Sequence, residues 1–288
     1  MSIFYHKSKI SNHKSQISVI HPAAIIDAKA RLGEGVEIGP YAVVEGNAVI
    51  GDGCLVGAHA VIKSGVELGD GVTVDCHAVL GGLPQDLGFK AAIPSGVKIG
   101  KNAVLREGVT VSRATKPEGF TIICEGAYLM AYSHVAHDCE VGEHAIFANN
   151  VMLAGHVHIG AHCFLGGGAA VHQFVRMGES VMLSGISGVG LDVAPYLMCA
   201  ERNSIIGFNL VGLKRRGFSR ETISDLKNCY REIFYKKGKM PEIAAAALRD
   251  GLAKTPEGKK FLEFFTTPSK RGFLRPRRGK TEEGGEED

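Results

Sequence analysis

The sequence has no run of about 18 apolar residues, the length a membrane-crossing helix needs. Its start, Met1 to Gln16, mixes Lys, His and Ser where a secretory signal would be apolar. A soluble, cytoplasmic protein without a transmembrane segment is therefore expected. The C-x-x-C pair is missing as well: the seven cysteines, at 54, 76, 124, 139, 163, 199 and 229, are odd in number and scattered. That pattern argues against a disulfide framework or a zinc cluster and for buried, reduced thiols. Nor is there an excess of one charge. With 33 basic against 30 acidic residues, the chain lacks a footprint for nucleic acid outside local patches.

What the chain has is a repeat. From Ile20, an aliphatic residue recurs every sixth position through Ile26, Leu32, Ile38, Val44, Ile50, Val56 and Ile62, then at Leu68, Val74 and Leu80. Gly often follows it, as at Gly33, Gly39, Gly51, Gly57 and Gly69. A second series, shifted by one residue, runs from Ile99 through Leu105 and Val111, then from Ile123 to Val189. Six residues suit a short strand and a tight turn, with one aliphatic side chain pointing inward and Gly tolerating the corner. Stacked hexads form a parallel β-helix. Periodicity alone leaves its hand open.

The expected organisation is an N-terminal extension (1–17), the β-helix (18–194), a C-terminal helical region (195–272) and a charged tail (273–288). The extension and the tail, with its basic stretch and acidic end, are expected to be poorly ordered. Two interruptions, near 82–97 and 113–120, read as loops leaving the prism, and insertions in a solenoid tend to gather on the functional edge. Beyond Pro195 the pattern turns helical. Ser219 is placed to cap a helix carrying Ile223, Leu226, Tyr230, Ile233 and Phe234, followed by helices around Ile243–Leu248 and Phe261–Phe265.

Most of the histidines fall between His134 and His172. With three hexads to a coil of eighteen, His156 lies one coil plus one residue beyond His137, and His172 two coils minus one. The three are expected along one edge, with adjacent coils about 4.8 Å apart. An imidazole can take a proton from a hydroxyl near neutral pH, which makes His137 a candidate general base. Asp138 is placed to orient it, although neighbours in a strand point to opposite faces and only a corner removes that conflict. The Gly155 N–H is a candidate donor to an oxyanion. His59, His77, His144, His158 and His162 read as structural. A three-histidine zinc site is the rival reading, but nothing beyond the histidines themselves argues for metal.

Several strings resemble one family. They are His-Val-Ala-His-Asp-Cys (134–139), Ala-Asn-Asn (148–150), Leu-Ala-Gly-His-Val (153–157), Ala-Val-His-Gln-Phe (170–174), Ser-Gly-Val (187–189), Gly-Leu-Lys-Arg-Arg-Gly-Phe (212–218) and Pro-Gln-Asp-Leu (84–87). Together, over residues 18–272, they resemble the acyl-carrier-protein:UDP-N-acetylglucosamine O-acyltransferases, hexapeptide-repeat enzymes of lipid A synthesis. The resemblance implies a left-handed β-helix and a homotrimer with active sites between subunits. It also implies an (R)-3-hydroxyacyl donor on acyl carrier protein, UDP-N-acetylglucosamine as acceptor, and neither metal nor dissociable cofactor.

By the same resemblance, His137, Asp138 and Gly155 are catalytic. His134, His156, His172 and Gln173 would bind the sugar nucleotide or thioester, and Asp86 would reach the acceptor sugar. Gly185 would line the acyl pocket, leaving room for a longer chain. Asn209, Arg215 and Arg216 would meet phosphate or phosphopantetheine, and phosphate suits the planar donor fork of arginine. The C-terminal basic cluster would present a face to an acidic carrier protein.

The chain departs from the family at Ser112-Arg113-Ala114, where His-Arg-Gly is usual, and at Gly88, where a Lys is usual. These departures leave open a diverged paralogue acting on a 3-amino sugar. An N-acyltransferase of the same pathway normally carries a uridine-binding domain before the repeat, for which there is no room before Ile20. Acetyl-CoA-dependent hexapeptide acetyltransferases lack the Gly-Leu-Lys-Arg-Arg-Gly string followed by helices of this extent. A non-catalytic scaffold would not need His137.

Overall fold

The hexads make strands only two residues long, which cannot stand alone, so each coil depends on the coils above and below it. A computed structural model describes residues 18–276. The expected extension at 1–17 and the tail from 277 onward lie outside the described residues. Successive strands fall on three parallel sheets in turn, of eleven, nine and eight strands, forming a three-sided parallel β-helix. In an unbroken stretch each strand pairs with the one eighteen residues on, as Val43 pairs with Val61 and His134 with Met152.

From Val36 on, each hexad of the repeat buries two side chains. One is the aliphatic residue of the repeat, such as Ile62, Leu105 or Leu153; the other is a small residue two positions earlier, such as Ala60, Ala103 or Val151. Full burial of a Leu, Ile or Val stabilises by roughly 1.5–3 kcal/mol, and three such residues per coil hold strands that hydrogen bonding alone would not. Cys54, Cys139 and Cys163 occupy the small position, each donating its S–H to a carbonyl at 3.1 Å.

The glycines after the aliphatic residues do not turn the chain. Gly51 has a negative φ, and a β-carbon on it would lie 2.7 Å from the Gly69 carbonyl carbon and 2.8 Å from the Asp70 nitrogen. Close approach of the next coil excludes a side chain there. The corners themselves hold left-handed residues, and many are not glycine: Asn47, His59, Asp138, His156 and Phe174 all have φ near +60°.

Both interruptions leave the same corner, between the nine- and eight-stranded sheets. Across the first, Thr73 pairs with Val104, 31 residues on; across the second, Thr110 pairs with His134, 24 residues on. Against a coil of eighteen, the first insertion is not a multiple of six and shifts the phase, whereas the second adds one hexad and keeps it. The two loops pack together: Arg113 donates to the carbonyls of Ala91 and Ile93 at 2.7 and 2.9 Å, and its guanidinium lies over Phe89.

The eleven-stranded sheet ends in strands Leu197–Ala200 and Ser204–Phe208, which pair antiparallel. Four helices follow: α1 (Leu210–Arg215), α2 (Arg220–Tyr235), α3 (Met240–Arg249) and α4 (Pro256–Thr266). Ser219 caps α2 by accepting from the Thr222 N–H. Residues 273–276, expected as the start of a poorly ordered tail, pack instead against the β-helix. Phe273 bridges to Asp192, Pro276 bridges to Ile205, and Leu274 is buried. No helix among the described residues is long and apolar enough to cross a membrane.

Candidate active site

His137 and Asp138 form the two turn residues of the corner from which both loops leave, between strands His134–Val135 and Glu140–Val141. Asp138 adopts φ +57°. That left-handed turn removes the conflict of adjacent side chains and brings Asp138 Oδ2 to 2.7 Å from His137 Nδ1. Both side chains are nearly buried. Burial works to raise the Asp138 carboxyl, but hydrogen bonds from Thr115 and His137 outweigh it and hold the group low. With Nδ1 engaged, Nε2 is the free end of the imidazole.

Eighteen residues on stands Gly155, not a histidine. The His137 ring lies directly over its α-carbon: a β-carbon on Gly155 would stand 2.5 Å from Cε1 and 2.6 Å from Nε2. Corner geometry leaves the Gly155 N–H without an acceptor among the described residues, while the next N–H, of His156, donates to the His137 carbonyl at 3.0 Å. A buried, unpaired N–H is unusual; here it sits beside the free imidazole nitrogen.

His156 stands one coil above Asp138. Its Nε2 is 3.7 Å from Asp138 Oδ2, and its ring meets that of His137 edge-on at 5.1 Å. Burial is the main cause that lowers its pKa, and the Asp138 charge opposes it. His134 contacts Thr110 Oγ1 at 2.8 Å, and burial, then the His137 charge, lowers its pKa. Ligand atoms of His137, Asp138 and His156 lie within 4.8 Å of one another, so this trio could also hold a metal ion.

His172 stands on the same edge, at the residue before the two turn positions, but its ring joins neither His137 nor His156. Its ring faces the Gln173 carbonyl at 3.2 Å, and Phe174 stacks on His156 instead, at 4.6 Å. Lys270, from the segment after α4, lies over the Phe174 ring at 4.6 Å. Gln173 occupies the corner position one coil above Gly155, and Gly185 is exposed a coil beyond Gly167. Asp86, on the first loop, accepts from the Gly88 N–H at 2.8 Å and has no bond to the His137 cluster among the described residues.

Asn209, Arg215 and Arg216 belong to another corner, between the eight- and eleven-stranded sheets. There they line a cavity of about 760 Å³ with His144, His162 and Phe164. Asn209 caps α1 and donates to the Ser180 carbonyl at 3.0 Å. Arg216 is held by the Ser180 hydroxyl and by Glu179, and Glu179 also binds Lys260. His144 and His162, read from the sequence as structural, stack on each other at 5.2 Å on the rim of this cavity. Sequence reasoning also missed Thr115, Thr121 and Lys270, which no coil spacing connects with His137, and Phe174, although it stands one coil of eighteen after His156.

Cys139, next to Asp138, is no rival nucleophile, since burial pushes its thiol up to about 12.

A three-sided β-helix of hexads, with an Asp-oriented histidine at one corner, is the architecture of a hexapeptide-repeat transferase. The sequence matches the bacterial transferase hexapeptide model over residues 47–82 and 120–155, and the model of UDP-N-acetylglucosamine O-acyltransferase domain 2 over 192–274. It is 44% identical over 264 residues to an acyl-[acyl-carrier-protein]–UDP-N-acetylglucosamine O-acyltransferase of Janthinobacterium sp., covering 90% of this chain and 100% of the relative. It is 45% identical over 261 residues to the Burkholderia lata protein of that name, covering 89% and 99%. The structure superposes on UDP-N-acetylglucosamine acyltransferase from Campylobacter jejuni with a TM-score of 0.83 and 38% identity, over 90% of this chain and 100% of the other. The chain belongs to the acyl-carrier-protein-dependent UDP-N-acetylglucosamine O-acyltransferase family, and its β-helix is left-handed.

Proposed function

We propose that the chain transfers an (R)-3-hydroxyacyl group from acyl carrier protein to the 3-hydroxyl of UDP-N-acetylglucosamine, the first step of lipid A biosynthesis, in the cytoplasm. The observation that carries the reading is the His137 imidazole, bound to Asp138 through Nδ1, with its free Nε2 beside the unpaired Gly155 N–H. His137 Nε2 takes the proton of the sugar hydroxyl as its oxygen attacks the thioester carbonyl. Asp138 stabilises the imidazolium that forms. The Gly155 N–H donates to the tetrahedral oxyanion. Collapse expels the pantetheine thiolate, which recovers the proton from His137. These steps need neither metal nor dissociable cofactor.

A homotrimer fits the outward faces of the prism. The eight-stranded sheet presents Arg31, Glu67, Lys98, Glu140 and His158 to solvent. The eleven-stranded sheet turns Leu55, Ile146, Phe164 and Met182 outward, and the nine-stranded sheet Val43, Val61 and Met152. Exposed Tyr41, Tyr132 and Ile186 mark the corner between these two apolar sheets. With that corner on a threefold axis, the nine-stranded sheet of one protomer faces the eleven-stranded sheet of the next in a closed, head-to-tail ring. The His137 corner then abuts the neighbour's cavity with Asn209, Arg215 and Arg216. Sugar-nucleotide phosphates meet those arginines, while Asp86, His134, His156, His172 and Gln173 border the reacting groups and Gly185 the acyl chain.

The test is to incubate purified protein with a panel of (R)-3-hydroxyacyl carrier proteins and UDP-N-acetylglucosamine, with mass spectrometry of the product. A monoacylated UDP sugar that disappears in His137→Ala is expected. No product with any donor, or undiminished product from a folded His137→Ala protein, would overturn the reading.

A further inference from the structure

The second loop carries a residue that bonds the Asp138 carboxylate from outside the repeat. Thr115 lies in the hexad-long insertion between strands Thr110–Ser112 and Phe120–Ile123. Its hydroxyl donates to Asp138 Oδ2 at 2.7 Å and its N–H to Oδ1 at 3.1 Å. Both carboxylate oxygens are thus held by a single residue from an earlier coil. The Asp138 N–H donates to Thr121 Oγ1 at 2.9 Å, and Thr121 is fully buried, so the backbone of this left-handed turn is fixed as well.

An aspartate in a left-handed turn ordinarily has a short side chain free to bond its own local backbone. Here it is drawn the other way. Oδ2 takes one hydrogen bond from His137 Nδ1 and one from Thr115, and these two donors fix the carboxylate plane relative to the imidazole. Hydrogen bonds to a charged acceptor are short and roughly twice as strong as neutral ones. Loss of the hydroxyl frees the carboxylate to rotate, and with it the ring whose Nε2 sits against Gly155.

We propose that Thr115 is a positioning residue for the acyl transfer. Its hydroxyl and N–H hold Asp138 in the orientation that keeps His137 Nδ1 engaged and presents Nε2 beside the Gly155 N–H. This assignment rests on His137 being the general base. It gives the second loop a mechanical role: inserting one hexad keeps the repeat in phase and delivers a clamp to the corner above. A residue that acts this way changes the chemical step and leaves substrate affinity alone.

The experiment compares Thr115→Val, Thr115→Ser and Thr115→Ala, alone and with Asp138→Ala, after confirming fold and oligomer size. Thr115→Val is expected to lower kcat roughly 10- to 100-fold, the range set by losing a hydrogen bond to a charged group, with KM for both substrates unchanged. Thr115→Ser should stay within about twofold of wild type, since it keeps the donor. In the Asp138→Ala background the Val substitution should cost nothing more, because its target is gone. If Thr115→Val does not fold, Thr115→Ala, which adds no bulk, is read by the same criteria.

A wild-type kcat in both variants that lack the hydroxyl, a Ser variant as impaired as Val, or an equal loss in the Asp138→Ala background would overturn the assignment. A readout independent of turnover is proton NMR of the 15N-histidine-labelled protein. The His137 Nδ1–H signal, assigned by its loss in His137→Ala, should exchange slowly in wild type and Thr115→Ser and fast in Thr115→Val. An unchanged signal in Thr115→Val would overturn the positioning role whatever the activity. A failure of the general-base reading shows separately, as full turnover in His137→Ala.

Discussion

The imidazole of His137 lies over the α-carbon of Gly155, one coil above it, so closely that a β-carbon would stand 2.5 Å from Cε1. The contact makes Gly155 obligatory, since any β-carbon there would displace the imidazole beside which its N–H stands unpaired. Gly155→Ala is expected to displace the ring and lower turnover at least about 100-fold, comparable to loss of a general base. In a His137→Ala background, where the clash is absent, Gly155→Ala should add little. Equal losses in the two backgrounds, measured by initial rates, would mean that the methyl group acts on something other than His137.

Acid should weaken the fold through the site histidines. Burial, then the His137 charge, lowers the pKa of His134, and burial lowers that of His156 against the pull of Asp138. Their folded-state values lie below the unfolded 6.5, so in that window the unfolded chain binds more protons and stability rises with pH. The contribution is complete above about pH 6.5 and is lost as pH falls through the folded values. Asp138, held low, gives way only further down, below its unfolded 3.8. The melting temperature should fall as pH drops from about 7 to about 5, and His134→Gln should flatten that fall. An unchanged slope would place the acid sensitivity elsewhere.

Asp192 joins the helical region to the last coils. Its side chain is 0% exposed and accepts from the Arg176 N–H and Nε at 2.9 and 2.8 Å, with Nη2 in ion-pair contact at 2.8 Å, and Arg176 also donates to Thr267 at 2.6 Å. Asp192→Ala leaves a guanidinium, 25% exposed, without its counter-charge. A loss of about 3 kcal/mol is expected, read by urea unfolding at fixed protein concentration. A loss under about 1 kcal/mol would mean that Thr267 and solvent suffice to hold Arg176.

Thiol chemistry should distinguish the cysteines. Burial raises the Cys163, Cys199 and Cys229 thiols to about 12, as it does Cys139, and Cys54 is buried with them. Iodoacetamide on the native protein should modify the half-buried Cys124, whereas Cys76, at the corner placed on the threefold axis, should react only when the trimer dissociates. Early labelling of Cys139, mapped by peptide mass spectrometry, would show that the His137 corner opens in solution.

The sequence by itself determined the solenoid. A side-chain period of six brings Ile62, Leu105 and Leu153 to one interior, and the phase of each insertion is legible as well, because an addition of a multiple of six preserves it and any other breaks it. Ser219 as a helix cap and the aliphatic face of α2 were equally plain, being local properties of the chain. His137, Asp138 and Gly155 were legible because their spacing follows the coil. The tertiary structure decided the rest. The glycines after each aliphatic residue serve close approach between coils, a distance that periodicity does not carry. The partner stacked on His156 is Phe174, one coil of eighteen further on, and not His172, because a displacement of two residues at a corner changes the direction of a side chain. Thr115 reaches Asp138 from a loop outside the repeat, where no period applies. Arg216 and His137 lie on different corners of one prism, so which groups share a site follows from the packing of surfaces and not from the order of residues.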